Sequence, residues 1–206
     1  MSFTTTIKEE ISRIPNTRSE SIAELSGFFR NNGTCTDTTI DLVTENATVA
    51  KRIYQLIKDL YDITCEIENR KSLNFSKNNL YLIMINEKVN FILKDLSIIN
   101  ENGDFLDTPN EFIVDSEDEI RAYLRGAFLA KGSINDPKTA RYHLELLIEE
   151  LEEAKFISNL LNSFDLNSKI LSRDKGYMVY IKESEKIGDF LRIINANQAV
   201  LYYEDI

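Results

Sequence analysis

Hydrophobic and polar positions follow two periods along this chain, and the periods recur in one order. The stretch TIDLVTENATVAKRIYQLIKDLYD (39–62) begins with apolar residues at every second position and continues with them at helical spacing. That predicts a half-buried strand followed by an amphipathic helix. HLELLIEELEEAKFISNLLNSFD (143–165) carries the same switch, as do NLYLIMINEKVNFILKDLSII (79–99) and GYMVYIKESEKIGDFLRII (176–194). Between them, TCEIENR (64–70) and NSKILSR (167–173) read as short strands. The polar turns GTCTDTT and GSINDPK each predict a hairpin.

Two further helices are almost superimposable in sequence. TRSESIAELSGFFRNNGTCTD (17–37) aligns without a gap on SEDEIRAYLRGAFLAKGSIND (116–136), at a constant offset of 99 residues. Thr17-x-x-Glu20 and Ser116-x-x-Glu119 are capping boxes, in which hydroxyl and carboxylate satisfy free N–H groups at a helix start. Gly33 and Gly132 close the two helices where a left-handed cap is expected. Gly27 and Gly126 stand mid-helix, where glycine costs about 1 kcal/mol against alanine. A matched pair of such glycines predicts that the helices pack against each other on a pseudo-two-fold axis, where a missing Cβ permits close backbone approach. An isolated, merely tolerated defect would not recur at the same place in both copies.

The expected fold is therefore α+β: a duplicated αββαββα unit with an extra N-terminal helix over about Thr5 to Arg13. The halves are expected at about 14–99 and 116–206, joined by a linker over about 100–115. The stretch 100–119 holds eight acids and no base, and Phe105, Leu106, Phe112 and Ile113 are expected to pack onto the surface.

Composition narrows the function. Of 206 residues, 43% are hydrophobic, which fits a globular chain. No run is long and apolar enough to span a bilayer, the N-terminus has no signal-peptide pattern, and a cytoplasmic location with no membrane partner is expected. Cys35 and Cys65 lack a zinc-ligand spacing. His143 is the only histidine, and an exposed strand position explains it better than catalysis. The net charge is −10, and residues 1–112 and 113–206 each hold 12 cations against 17 anions, a net of −5. Tight binding of duplex DNA through bulk charge is not expected.

The helices LSGFFRNNG (25–33) and LRGAFLAKG (124–132) resemble the LAGLIDADG motif of homing endonucleases. TENATVAKRIYQLIKDLYD (44–62), YLRGAFLAKGSINDP (123–137), YHLEL (142–146) and IGDFLRIINANQAVLYYED (187–205) resemble the N-terminal part of the WhiA family of bacterial sporulation and cell-division regulators. The resemblance implies a DNA-binding regulator with roles in transcription, cell division or chromosome segregation. It implies nucleoid association of the full-length protein, and a C-terminal helix-turn-helix domain, absent from this chain, as the main DNA contact. A truncated chain is the favoured explanation. The endonuclease motif places an acid before each final glycine, and the two acids hold divalent metal. Here those positions are Asn32 and Lys131, and the earlier acid of the motif is replaced by Arg30 and Leu129. No metal, cofactor or catalytic residue is expected, and no DNA-contacting residue is assigned.

The other acids read structurally. Asp37 and Asp136 are equivalent by the repeat and read as turn residues. Glu24 faces only Tyr123 in the other copy, so it forms no carboxylate pair. Glu149, Glu150, Glu152 and Glu153 read as a solvated helix start. Strand alternation turns Ile40, Leu42, Cys65, Ile67, Leu144, Leu146 and Ile148 inward. It leaves Asp41, Val43, Glu45, Glu66, Glu68, Arg70, His143, Glu145, Leu147 and Glu149 outward, beside Lys169, Arg173 and Lys182. This acidic saddle would suit a protein partner or the chain's own basic domain. The alternatives are an active endonuclease using non-standard acids and a purely structural interaction module.

Overall fold

A computed structural model describes residues 1–71, 79–139 and 141–205. The chain starts with α1 (Phe3–Ile11), which begins and ends two residues before the expected bounds. The first half runs α2 (Arg18–Asn32), β1 (Thr34–Cys35), β2 (Ile40–Thr44), α3 (Ala47–Tyr61), β3 (Glu66–Lys71), β4 (Asn79–Ile85) and α4 (Val89–Asp95). The second runs α5 (Glu117–Lys131), β5 (Gly132–Ile134), β6 (Leu144–Ile148), α6 (Leu151–Asn162), β7 (Lys169–Arg173), β8 (Gly176–Ile181) and α7 (Ser184–Ile193). A final helix, α8 (Asn197–Glu204), adds an element to the expected order. Ile206, where the second half was expected to end, lies outside the described residues.

The two sheets are antiparallel and have the same order, β1-β2-β4-β3 and β5-β6-β8-β7. Register puts Ile40 opposite Ile85, Leu42 opposite Ile83, Leu144 opposite Ile181 and Leu146 opposite Val179. All eight are buried in the core. Removing such side chains from water contributes roughly 1.5–3 kcal/mol apiece, so a register slip of one residue is strongly disfavoured. Ile67 sits on the inward side, opposite Ile83, but on edge strand β3 it stays exposed.

The paired helices α2 and α5 form the centre. Both start on complete capping boxes, Thr17 with Glu20 and Ser116 with Glu119. Their ends differ from the left-handed caps expected. Gly33 has φ −74° and Gly132 φ −89°, both extended. The glycines serve space instead of conformation. A Cβ on Gly33 would lie 2.9 Å from the Phe29 carbonyl oxygen, and one on Gly132 would enter the Phe128 ring.

At the axis the spacing is tighter. A Cβ built on Gly27 would lie 2.5 Å from the Tyr123 carbonyl oxygen. One on Gly126 would fall onto the Glu24 carbonyl oxygen and lie 2.9 Å from its carbon. Each helix thus presents backbone to backbone where its glycine stands.

Two contacts tie the chain's start to its second half. Thr4 Oγ1 donates to the Ile134 carbonyl at 3.1 Å and accepts from the Ile134 N–H at 3.0 Å, extending edge strand β5. The Glu10 carboxylate accepts from the N–H groups of Gln198 and Ala199, satisfying the start of α8. In the linker, Ile113 is buried, whereas Phe105 and Phe112 are exposed.

Candidate functional site

Asn32 ends α2 and Lys131 ends α5, and both line one cavity of about 470 Å³. The Asn32 amide is fully committed. Its Nδ2 donates to the Val43 carbonyl at 2.6 Å, and its Oδ1 accepts from the Val43 N–H at 2.8 Å. It pairs with a backbone unit of β2 as a neighbouring strand would. An acid could not replace it there, because a carboxylate has no donor for the Val43 carbonyl.

Lys131 has company that the sequence did not reveal. Lys8 of α1 reaches the same region, with its Nζ 5.7 Å from the centroid of the Phe128 ring. Burial lowers the Lys8 pKa to about 8; Glu45 opposes that shift and the charge of Lys131 adds to it. The place where the endonuclease motif gathers two carboxylates therefore holds a tied amide and an amine, with Lys8 near Lys131; Asp107, Glu149, Glu150 and the buried Glu153 line the same cavity from outside the motif positions. A hard cation needs several oxygen ligands, and Asn32 and Lys131 do not supply them. Among the described residues, no group of three or more His, Cys, Asp or Glu is placed to hold a metal ion.

Arg30, at the earlier acid position, is also used structurally. Its guanidinium donates to the Ser97 carbonyl at 2.6 Å and to the Leu106 carbonyl. It thereby fastens the linker to α2.

The acids weighed from sequence are distributed differently than expected. Glu153 is not a solvated helix start: it is 2% exposed, accepting from Tyr123 Oη at 2.7 Å and from Asn31 Nδ2 at 2.9 Å. Burial pushes its pKa up to about 7, against the pull of Arg30 and the two hydrogen bonds. Nothing in its neighbours' sequence announces this, because the donors come from α2 and α5. Asp136 does sit in a turn, accepting from the Lys138 N–H, and Tyr202 Oη donates to it from α8. Asp37 is exposed in the β1–β2 turn. His143, half-buried before β6, lies 3.5 Å from Glu145.

Glu24 forms no carboxylate pair, but it is a fully buried charge. Arg125 Nε donates to it at 2.7 Å, Arg52 Nε at 2.9 Å and Asn16 Nδ2 at 3.2 Å. Burial alone would raise its pKa, but Arg52 and Arg125 outweigh burial and hold it below the ordinary carboxylate range. The repeat contained a signal for this cluster: Ser26 in the first copy aligns with Arg125 in the second, a charge beside the axis glycine.

The outward sheet faces carry Asp41, Glu66 and Glu68 on one side and Glu145 on the other, with Lys169 and Arg173. Val43, Leu147 and Leu171 are exposed among them. Arg70 is drawn to Glu68 by an ion pair. The saddle thus sets four acids among three bases and exposed aliphatic side chains.

Two family models match this chain, the WhiA N-terminal LAGLIDADG-like domain over residues 18–99 and the WhiA LAGLIDADG-like domain over 120–206. The chain belongs to the WhiA family. It is 43% identical over 210 residues to a protein of Bacillus cytotoxicus named "Probable cell division protein WhiA", with all of this chain aligned. It spans 66% of that relative's length. Its fold is similar to the crystal structure of the N-terminal LAGLIDADG domain of DUF199/WhiA, with TM-score 0.75, 26% identity, and 94% and 90% of the two chains covered. It is also similar to the homing endonuclease I-WcaI bound to its DNA recognition sequence, with TM-score 0.61, 17% identity, and 92% and 86% covered. That second likeness shows the shared fold alone. No described helix of this WhiA-family chain is long and apolar enough to cross a membrane.

Proposed function

We propose that this chain is the non-cleaving, endonuclease-like part of a WhiA-type DNA-binding regulator acting in cell division, sporulation or chromosome segregation. The observation that carries the reading is Asn32. Its amide is consumed by the Val43 backbone at the position where cleavage chemistry requires a free carboxylate. Lys131 puts a positive charge at the equivalent end of α5, with Lys8 close enough to feel it. Gly27 and Gly126 let α2 and α5 pack backbone to backbone, as the endonuclease motif requires, while its acid positions carry Asn32 and Lys131.

In this reading DNA is held mainly by a helix-turn-helix domain of the full-length protein, which would place it at the nucleoid. The saddle then serves a protein partner. Its exposed Val43, Leu147 and Leu171 among acids suit a basic, partly apolar surface better than phosphates. Fluorescence anisotropy of a labelled duplex with this chain at about 150 mM salt tests the division of labour. The expected dissociation constant is in the non-specific range of about 10⁻⁴–10⁻⁶ M and weakens steeply with salt. A submicromolar, sequence-specific complex would overturn it.

A further inference from the structure

The end of the helix pair remote from Asn32 and Lys131 has the opposite electrostatic character from the rest of the molecule. There the α1–α2 connection, the first turns of α2 and the outer face of α3 enclose a cavity of about 770 Å³. That is within the roughly 300–1,000 Å³ of small-molecule sites. In a chain of net charge −10 this cavity is lined by Arg13, Arg18, Lys51 and Arg52 against a single acid, Asp59. Asp59 already accepts from Gln55 Nε2 at 2.7 Å. Among the described residues, Arg13, Arg18 and Lys51 have no carboxylate within ion-pair distance; Arg13 Nη1 donates to the Glu9 carbonyl at 2.8 Å.

A second, independent observation lies in the floor of the cavity. Arg52 and Arg125 share one carboxylate, Glu24. Arg125 is 1% exposed and Glu24 fully buried, so the network carries one positive charge in excess, and Arg52, 10% exposed, brings it to the cavity surface. The remaining partners of Arg125 are neutral amides: Asn16 Oδ1 at 2.7 Å and Asn195 Oδ1 at 3.2 Å. A buried surplus charge is costly unless it is offset. Arg52 and Asn16 line the cavity, so an anion there would stand directly over the surplus.

We propose that this cavity binds a small phosphate-bearing anion of mononucleotide size. Guanidinium groups meet phosphate oxygens in a planar fork, and Lys51 supplies a point charge beside them. The cavity reaches the first turn of α2, whose dipole adds positive potential, and runs along α3 from Thr48 to Leu60. Its apolar wall, Ile14, Leu56 and Leu60, gives a flat base or ring something to cover. Occupancy would be felt across the axis, because Arg52 and Arg125 grip the same Glu24 from the two halves.

Isothermal titration of this chain with ATP, pyrophosphate and inorganic phosphate, at constant ionic strength and without divalent metal, tests the site. The expected result is one saturable site per chain with a dissociation constant between about 10 µM and 1 mM for ATP. The double variant Arg18→Glu plus Lys51→Glu alters two exposed side chains. It should weaken binding by about tenfold or more, roughly 1.4 kcal/mol, with an unchanged circular dichroism spectrum. Lys155→Glu plus Lys169→Glu, which makes the same charge change elsewhere, should leave binding intact. ATP stronger than pyrophosphate supports a base on the apolar wall, and equal binding of all three supports a bare phosphate subsite. No saturable binding up to about 1 mM (a free energy near −4 kcal/mol), or equal affinity in the Arg18/Lys51 variant, would overturn the proposal. So would a duplex that binds through Arg18 and Lys51 when ATP does not, which would make the surface a nucleic-acid contact.

Discussion

Replacing Gly126 sets helix propensity against packing. Propensity favours alanine over glycine by about 1 kcal/mol inside a helix. The structure opposes it, because an added Cβ meets the Glu24 carbonyl, with the Glu24 carbon at 2.9 Å and the Phe28 nitrogen at 3.1 Å. All three atoms are backbone and cannot rotate away. Relief requires α2 and α5 to separate, and forced overpacking costs about 1–3 kcal/mol. Gly126→Ala should therefore lie between neutral and about 2 kcal/mol destabilising, the difference of those effects. Gly126→Leu adds three more carbons to the same gap. It also displaces the adjacent Arg125, whose buried pair with Glu24 costs about 3–5 kcal/mol when broken. Gly27→Leu, facing the Tyr123 carbonyl at 2.5 Å, should behave alike. Arg121→Leu, near the start of α5, paired with Glu117 and lying over the Phe164 ring, is the control. Urea midpoints read the result. If Gly126→Leu unfolds no more easily than Arg121→Leu, or if Gly126→Ala raises the midpoint, close backbone packing at the axis is wrong.

Glu153 and Asn32 give two further tests. The Glu153 carboxyl is raised to about 7 by burial when folded and sits near 4.3 when unfolded. The folded state therefore binds the extra proton, and this group's contribution to stability is lost as pH rises through that window. Glu153→Gln should stabilise more at pH 8 than at pH 5 in thermal melts; an equal shift at both would refute a raised pKa. Asn32→Asp should cost about 1–3 kcal/mol by leaving the Val43 carbonyl without its donor. It should also fail to create a stoichiometric Mn²⁺ site in electron paramagnetic resonance titration, and tight Mn²⁺ binding would refute the claim that the Lys131 ammonium at the second motif position excludes metal.

The elements were legible because apolar periodicity decides them. The strands around Leu42 and Leu146 and the two capping boxes follow from local residue types alone. The fold's duplication was legible because the opening helices repeat at one offset. The polar interior was not. Glu24, Arg125 and Glu153 are buried by partners on other elements, between 28 and 122 residues away in sequence for Arg52 with Glu24 and Asn31 with Glu153. Lys8 sits between the buried Ile7 and Ile11 and reads as the polar face of α1. Asn32 could be seen as a lost acid, but its use by Val43 depends on how β2 returns past the helix end. The cap glycines were read through conformation, when the Phe29 carbonyl and the Phe128 ring had decided them through space.

The central claim is that the endonuclease fold persists here without its chemistry, and strand cleavage is its most direct test. Supercoiled plasmid is incubated with this chain and Mg²⁺ or Mn²⁺, alongside the Asp37→Ala plus Asp136→Ala variant, whose acids lie in the two hairpin turns. The plasmid should stay supercoiled with both proteins, because Asn32 is tied to Val43 and Lys131 stands where the second acid would be. Nicking that copurifies with the chain and disappears in the double variant would contradict the account.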